Sequence, residues 1–290
     1  MSHLKDKIKE AVFHIAFEWK KKGKTSIRVK SIDETIDDLI RSDKSLVRFG
    51  DAEIWIIEGR TTKFQNYDPQ LAVRLKEIIS YQTDDILVGI PDIFENLDPY
   101  TKKSRKFWEE HVFFSRKTYE KYCNRDKVYE NAFFSRPYYI YEDKMQSAEW
   151  FKKIKEIWKG KDVVIVEGEG THSGVGNDLL DTANAIERII CPGLNAYFAY
   201  DKIKEKCLEF DKGKLFLFAL GNTAKLLVCD LVTEGYRAID IGNLDMEYEW
   251  YLQKAESKVP VPKHSVTGRE ENLKAGYTAY LEQIRAEITL

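Results

Sequence analysis

The sequence predicts an α/β fold, Rossmann-like, with a mostly parallel sheet covered by helices on both faces. Three observations carry that reading. Short apolar runs such as Asp85-Ile-Leu-Val-Gly-Ile90, Val163–Glu167 and Lys214–Leu220 match strands buried on both faces, as parallel strands are. Segments of helical periodicity alternate with them, which is the signature of βαβ units. Turns rich in glycine or small polar residues follow several strands, where sheets of this kind place their ligands.

Residues 3–21 carry Leu4, Ile8, Val12, Ile15 and Trp19 at helical spacing, and Lys20-Lys21-Lys22-Gly23 suits a helix C-terminus. The lysine run reads first as a solvated helix end and second as a basic membrane-facing patch. Ser31-Ile-Asp-Glu34 is a capping box that starts a helix running to about Asp43. A short strand, Ser45–Gly50, leads into Asp51-Ala52-Glu53. Asp68-Pro69 opens a helix to about Tyr81, with proline at its first position. Asp85–Ile90 is a strand ended by Pro91. Residues 98–160 predict helices near 101–122 and 146–158 and a strand near 131–134.

The last third is more regular. Strand Val163–Glu167 leads through a glycine-rich loop to a helix near 176–184. Strand Arg188–Cys191 leads to a helix near 196–209, strand Lys214–Leu220 to a helix near 222–234, and strand Arg237–Ile241 closes the series. After Lys258 the pattern breaks, and a helix near 269–286 ends the chain. No Pro/Gly/Ser-rich linker intervenes, so residues 1–290 read as one domain. It has an N-terminal helix at 3–22, a core at about 30–255 and a helical tail at 259–290.

Composition narrows the function. With 43% hydrophobic and 32% charged residues in 290, the chain is globular and long enough for a sizeable core. A net charge of −2 speaks against a groove that grips nucleic acid through many phosphates. The four cysteines form no C-x-x-C pair, which argues against a zinc ribbon or redox motif. The N-terminus is charged and amphipathic, unlike a signal peptide. The most apolar run, near Leu215–Leu220, is too short to span a bilayer. A cytoplasmic protein is expected, and the sequence allows a homo-oligomer.

Four stretches carry candidate chemistry. In Arg48-Phe49-Gly50-Asp51-Ala52-Glu53, two carboxylates follow a strand end. Hard cations such as Mn²⁺ or Mg²⁺ want such oxygen ligands and share them with substrate phosphates. Arg48 could add a planar fork for phosphate. The plainer reading makes Asp51 a helix cap. In Glu167–Asp178, backbone N–H groups around Gly170, Gly174, Gly176 and Asn177 could cradle a diphosphate, with His172 in contact. The dinucleotide fingerprint is incomplete there, because Ser173 stands where its third glycine belongs and the next strand ends in Ile190-Cys191-Pro192 without an acid. Gly221-Asn222-Thr223 forms another strand-to-helix turn, either capping a helix or facing a ligand. In Asp240–Trp250, a strand delivers Asp245, Glu247 and Glu249 into a loop or helix start, each a candidate base or metal ligand.

Together these stretches resemble one family. Ser45-Leu-Val-Arg-Phe-Gly-Asp51-Ala-Glu53, Gly174-Val-Gly-Asn-Asp178-Leu, Ile189-Ile-Cys-Pro192 with Asn195-Ala196, Ala219-Leu-Gly221, and Asp240-Ile-Gly242 with Glu247-Tyr-Glu249-Trp250 follow in order. The set is similar to the GT-D-type glycosyltransferases, a bacterial family formerly described as a domain of unknown function. The likeness covers roughly residues 30 to 255 and departs at Ala52, where the family more often has glycine. It implies a Rossmann-like hexosyltransferase, with glucose the leading donor sugar, that uses a UDP-sugar and a divalent metal, typically Mn²⁺. It implies that Asp51 and Glu53 bind the metal. The implied acceptor is a glycan or glycosylated protein, in bacterial surface polysaccharide or adhesin glycosylation. On that reading Arg48, Gly50, the 170–178 loop, Gly221 and Asn222 contact the donor, and Asp245, Glu247 or Glu249 activates the acceptor. Tyr138, Tyr139 and Trp250 are the candidate sugar-stacking rings. Two other readings stand beside it: a nucleotide-dependent oxidoreductase and a non-catalytic carbohydrate-binding protein.

Overall fold

The computed structural model describes residues 2–21, 27–81, 83–264 and 276–290. Strands β1 (Arg28–Val29), β2 (Ser45–Arg48), β3 (Ile86–Ile90), β4 (Val128–Asn131), β5 (Asp162–Gly168), β6 (Ala185–Cys191), β7 (Leu215–Ala219), β8 (Arg237–Asp240) and β9 (Ile284–Glu287) form one sheet. Its order is β1-β4-β3-β2-β8-β7-β5-β6-β9, and every pairing among the described strands is parallel. Consecutive residues Val163–Gly168 and Leu215–Phe218 are all buried, so both faces of the central strands are covered.

The helices are α1 (Ser2–Lys21), α2 (Ile32–Arg41), α3 (Asp51–Ile57), α4 (Pro69–Ile79), α5 (Lys102–Tyr122), α6 (Ser147–Glu156), α7 (Tyr200–Cys207), α8 (Thr223–Thr233), α9 (Leu244–Leu252) and α10 (Tyr277–Gln283). Local chemistry sets their starts. Ser31 and Glu34 close the predicted capping box on α2. Asp68 accepts from the N–H groups of Gln70 and Leu71, with Pro69 at the first position of α4.

From the centre of the sheet, β2, β3 and β4 step outward one way and β8, β7 and β5 the other. The connections therefore leave the β2/β8 boundary in opposite directions. A crevice opens at the carboxyl ends of such a switch point.

Four expectations change. The predicted strand near 131–134 is β4 at 128–131 leading into a 3-10 turn, because the Asn131 side chain accepts from Phe133 N–H and closes the turn. No helix forms at 176–184: Gly174 and Gly176 sit at positive φ, and Asn177 Oδ1 takes the Leu179 N–H at 3.1 Å, so the chain runs in turns. The helix expected at 196–209 splits into a 3-10 turn, Ala196–Ala199, and α7. The expected tail helix falls partly on 269–275, outside the described residues. Beyond them the chain forms α10 and then β9, which pairs with β6. On α1, Phe13 and Phe17 are buried, whereas the stripe Ile8, Val12, Ile15 and Trp19 is exposed.

Candidate active site

A cavity of about 590 Å³ opens at the carboxyl end of the sheet. Residues following β2, β4, β5, β6, β7 and β8 line it. Its floor is a buried charge network. Lys225, in the first turn of α8, lies 2.8 Å from Glu53 Oε1 and 3.0 Å from Asp240 Oδ2, and it donates to the Gly221 carbonyl at 2.9 Å. Arg48 donates to the Asp240 carbonyl at 2.7 Å, to Asp240 Oδ1 at 3.1 Å and to the Ala132 carbonyl at 3.2 Å. Burial opposes ionisation of Asp240, yet Arg48 and Lys225 hold its carboxyl below the ordinary range. Gly242 is required beside this bracket: its φ is +47°, and a Cβ there would lie 1.8 Å from Arg48 Nη2.

The sequence casts Arg48 as a free fork for phosphate. Its guanidinium instead ties the ends of β2, β8 and the turn after β4 together. Other cations line the cavity, Lys63 and Arg136, the latter partly exposed and 4.0 Å from Glu247.

Asp51 and Glu53 both line the cavity but differ in use. Glu53 Oε2 accepts the Gly50 N–H at 2.7 Å, and its Oε1 faces Lys225. Burial pushes the Asp51 carboxyl up, against the pull of Arg136. Among the described residues, no group of three or more His, Cys, Asp or Glu side chains is placed to hold a metal ion. The donor set therefore does not form a closed protein cage. Asp51, facing the cavity, with Glu53 behind it, would suit a hard cation completed by substrate phosphates, because such ions need only one or two carboxylates from the protein.

The glycine-rich loop divides in two. Gly168, Glu169, Gly170 and Thr171 line the cavity. His172, Gly174, Gly176 and Asn177 turn away from it. His172 is buried, with Nδ1 2.7 Å from the Lys263 carbonyl and its ring against Tyr280. Gly174 (φ +73°) donates its N–H to Asp245 Oδ1 at 2.8 Å, and a Cβ would lie 2.6 Å from Leu180 Cδ1. Asn177 donates to Asp245 and Glu249 at 2.9 and 2.6 Å.

The three candidate acids sit on α9 in different states. Asp245 lines the cavity, but its oxygens are taken by Gly174, Asn177, Lys263 and His264, the last at 2.6 Å. Burial opposes its charge, yet His264 and Lys263 hold its pKa at about 2. Glu247 is fully buried and accepts the N–H groups of Tyr138 and Tyr139, while its Oε1 has no hydrogen-bond partner. Burial raises its pKa against the pull of Arg136. Glu249 faces Lys263 at 2.8 Å and Asn177.

Gly221 and Asn222 line the cavity at the N-terminus of α8, and Asn222 Nδ2 is a buried donor without a partner. The expected stacking rings do not reach it. Tyr138, Tyr139 and Trp250 are core, with Tyr139 against Trp250 and Trp250 Nε1 donating to the Val259 carbonyl at 2.9 Å. The aromatic walls are Phe49, Trp55, Phe64, Trp108 and Phe133.

Lys225, Arg136 and His264 escape a reading of the sequence alone. Lys225 does leave a signal, as the one charge in Leu220–Cys229. His264 leaves none, because its partner Asp245 meets it only through the fold.

The profile of the family described as "Glycosyltransferase GT-D fold" matches residues 46–269. "Probable glycosyl transferase Gly" from Streptococcus gordonii is 44% identical over 241 residues, 82% of this chain and 35% of that protein. "Glycosyltransferase GlyD" from Streptococcus pneumoniae serotype 4 is 41% identical over 234 residues, 80% of this chain and 29% of that protein. The chain thus spans about a third of the length of these curated relatives. Among solved structures, "A New Glycosyltransferase (DUF1792) from Streptococcus sanguinis" has a TM-score of 0.85 at 41% identity, covering 91% of this chain and 100% of that one. Another, described as the highly conserved domain of unknown function 1792 with a distinct glycosyltransferase fold, has a TM-score of 0.87 at 39% identity, covering 96% and 100%. The oxidoreductase and non-catalytic readings give way to this likeness. The chain belongs to the family of the GT-D glycosyltransferase fold.

Proposed function

We propose that the chain acts as one transferase unit that moves a hexose, glucose first among candidates, from a UDP-sugar to a glycan or glycosylated-protein acceptor on the cytoplasmic side. Bacterial surface glycans and adhesins are the acceptor class we favour. The observation that carries the donor assignment is the opposition of charges at the strand ends. The open Asp51 carboxylate faces a cavity that also holds Arg136, the unpartnered Asn222 amide and the N-terminus of α8. Backbone N–H groups and a helix dipole suit a diphosphate, and one carboxylate suits a cation that arrives with it.

Asp51 would hold Mn²⁺ or Mg²⁺, with Glu53 positioned behind it by Gly50 and Lys225. A cation held there would supply neutralisation of the charge developing on the leaving diphosphate. The chain's own groups do the rest. Arg136, Asn222 and the N–H groups at Gly221 and at Gly168–Thr171 orient the phosphates and stabilise the same charge. Trp55, Phe64 and Trp108 supply flat apolar walls for nucleoside or sugar rings.

The acceptor oxygen bonds to the anomeric carbon, and the bond from that carbon to the diphosphate oxygen breaks with its electron pair leaving on UDP. The acceptor's proton goes to His264. Asp245 holds Nε2–H of that ring, which leaves Nδ1 as the basic nitrogen. Asp245 therefore acts through His264, Glu249 through Lys263 and Asn177, and Glu247 by fixing the Tyr138–Tyr139 backbone beside Arg136.

A UDP-release screen across UDP-sugars, with and without Mn²⁺, tests the reaction; acceptor-stimulated release from one donor is expected. His264→Asn should lower kcat by about 10²–10⁴ while donor binding stays intact. If Glu247→Gln abolishes turnover and His264→Asn does not, Glu247 is the base.

A further inference from the structure

Helix α1 packs inward and outward at once. Phe13 and Phe17 are buried, and Phe13 meets Phe113 and Phe114 of α5 at ring-centroid distances of 4.9 and 5.6 Å. Opposite them, Ile8, Val12, Ile15 and Trp19 are 57%, 49%, 59% and 80% exposed. At 100° per residue these four side chains fall within an arc of about 60°. Lys5 borders that arc on one side, with Lys9 farther round the same side. Residues 2–24 hold seven lysines against three acids, in a chain whose net charge is −2. A local basic excess therefore accompanies the apolar face, and α5 beneath it carries a like one, with seven Lys and Arg against three acids over residues 102–122.

We propose that α1 is an interfacial helix that lays this stripe into an anionic lipid surface. Trp19 would sit at headgroup depth, where indole rings are favoured, and Lys20-Lys21-Lys22 follow it directly in sequence. Charge decides between lipid and a second copy of the chain. Two lysine-rich helices repel, whereas anionic headgroups attract each of them. The stripe also spans less than two heptads, short of the three or four that a coiled-coil seam sustains. Lipid-bound α1 would leave the cavity one helix away from the surface, because Trp108 of α5 lines it while Glu109 and Glu110 of α5 pair with His14 and Lys9 of α1. Lipid binding by α1 requires nothing of the donor site.

The test is co-sedimentation of the full chain with phosphatidylglycerol-containing vesicles and with pure phosphatidylcholine vesicles, at low and high salt. Binding is expected to the anionic vesicles and to weaken with salt. Ile15→Glu/Trp19→Glu should weaken it at least about tenfold. Because both side chains are exposed, Tm should not change. Lys20→Gln/Lys21→Gln/Lys22→Gln should lower binding to anionic vesicles without touching the stripe. Failure to bind either vesicle overturns the proposal, as does unchanged binding in the Ile15/Trp19 variant. So does a lipid-free dimer that this variant abolishes, since the second copy would then be the occupant.

Discussion

At the scale of single residues, the site depends on buried charges holding one another. Lys225 is the clearest case. Its ammonium serves Glu53 and Asp240 together, so Lys225→Met leaves carboxylates buried beside a methyl group. The expected cost is about 3–5 kcal/mol in urea unfolding, and adding Glu53→Gln should recover part of it. An unchanged midpoint would mean that the pairing is idle. Asp245 makes a pH-dependent contribution. Its folded pKa of about 2 lies below the ordinary 3.8, so it stabilises above pH 4 and the contribution fades as pH falls toward 2. Asp245→Asn should therefore lose about 2 kcal/mol at neutral pH, and the gap in Tm to the parent should narrow by pH 3. That Asp51 and Glu53 sit together at a strand end is legible in sequence, because the apolar run Ser45–Gly50 leads straight into them. That Glu53 spends both oxygens on the protein is not, since Lys225 reaches it from a helix far along the chain.

At the scale of elements, the sequence is readable wherever a local rule decides the outcome. The Ser31/Glu34 box and Asp68-Pro69 start their helices where the spacing says, and the apolar runs become parallel strands. Reading fails where tertiary partners outvote periodicity. Residues 176–184 look helical, but Gly174, Asn177 and Asp178 are bound to Asp245, Glu249, Lys155 and Tyr248 in a chain of turns. The consequence for the site is that no helix N-terminus follows β5, and α8 presents one instead. Strand β9 is hidden for a related reason: it pairs in parallel with β6 beside the buried Arg188–Glu167 pair, which no local pattern announces. Gly242 links element geometry to the site. Gly242→Ala should displace Arg48 from Asp240, lower Tm and weaken donor binding, whereas Gly160→Ala, where φ is +67° but nothing lies within 4 Å of the added methyl, should bring backbone strain and leave the donor affinity alone.

At the scale of the whole molecule, near-neutral charge hides a sorted distribution. Basic excesses lie in residues 2–24 and along α5, and the acids and their partners gather at the strand ends around the cavity. The aromatic surplus sorts as well: most rings are core, including Tyr138, Tyr139 and Trp250, while Trp55, Phe64 and Trp108 face the cavity. Composition could not separate those groups, because burial depends on which helix covers which strand. Among the described residues no helix is long and apolar enough to cross a membrane. The central claim is that the cavity at the carboxyl end of the sheet is the nucleotide-sugar site and that Asp51 is its open oxygen ligand. Calorimetric titration of UDP in the presence of Mn²⁺, on the parent and on Asp51→Ala, tests it most directly. The account predicts saturable UDP binding by the parent and at least about tenfold weaker binding by Asp51→Ala at equal Tm, the size expected for one metal-linked contact. Equal affinities, or no UDP binding by the folded parent, would contradict it.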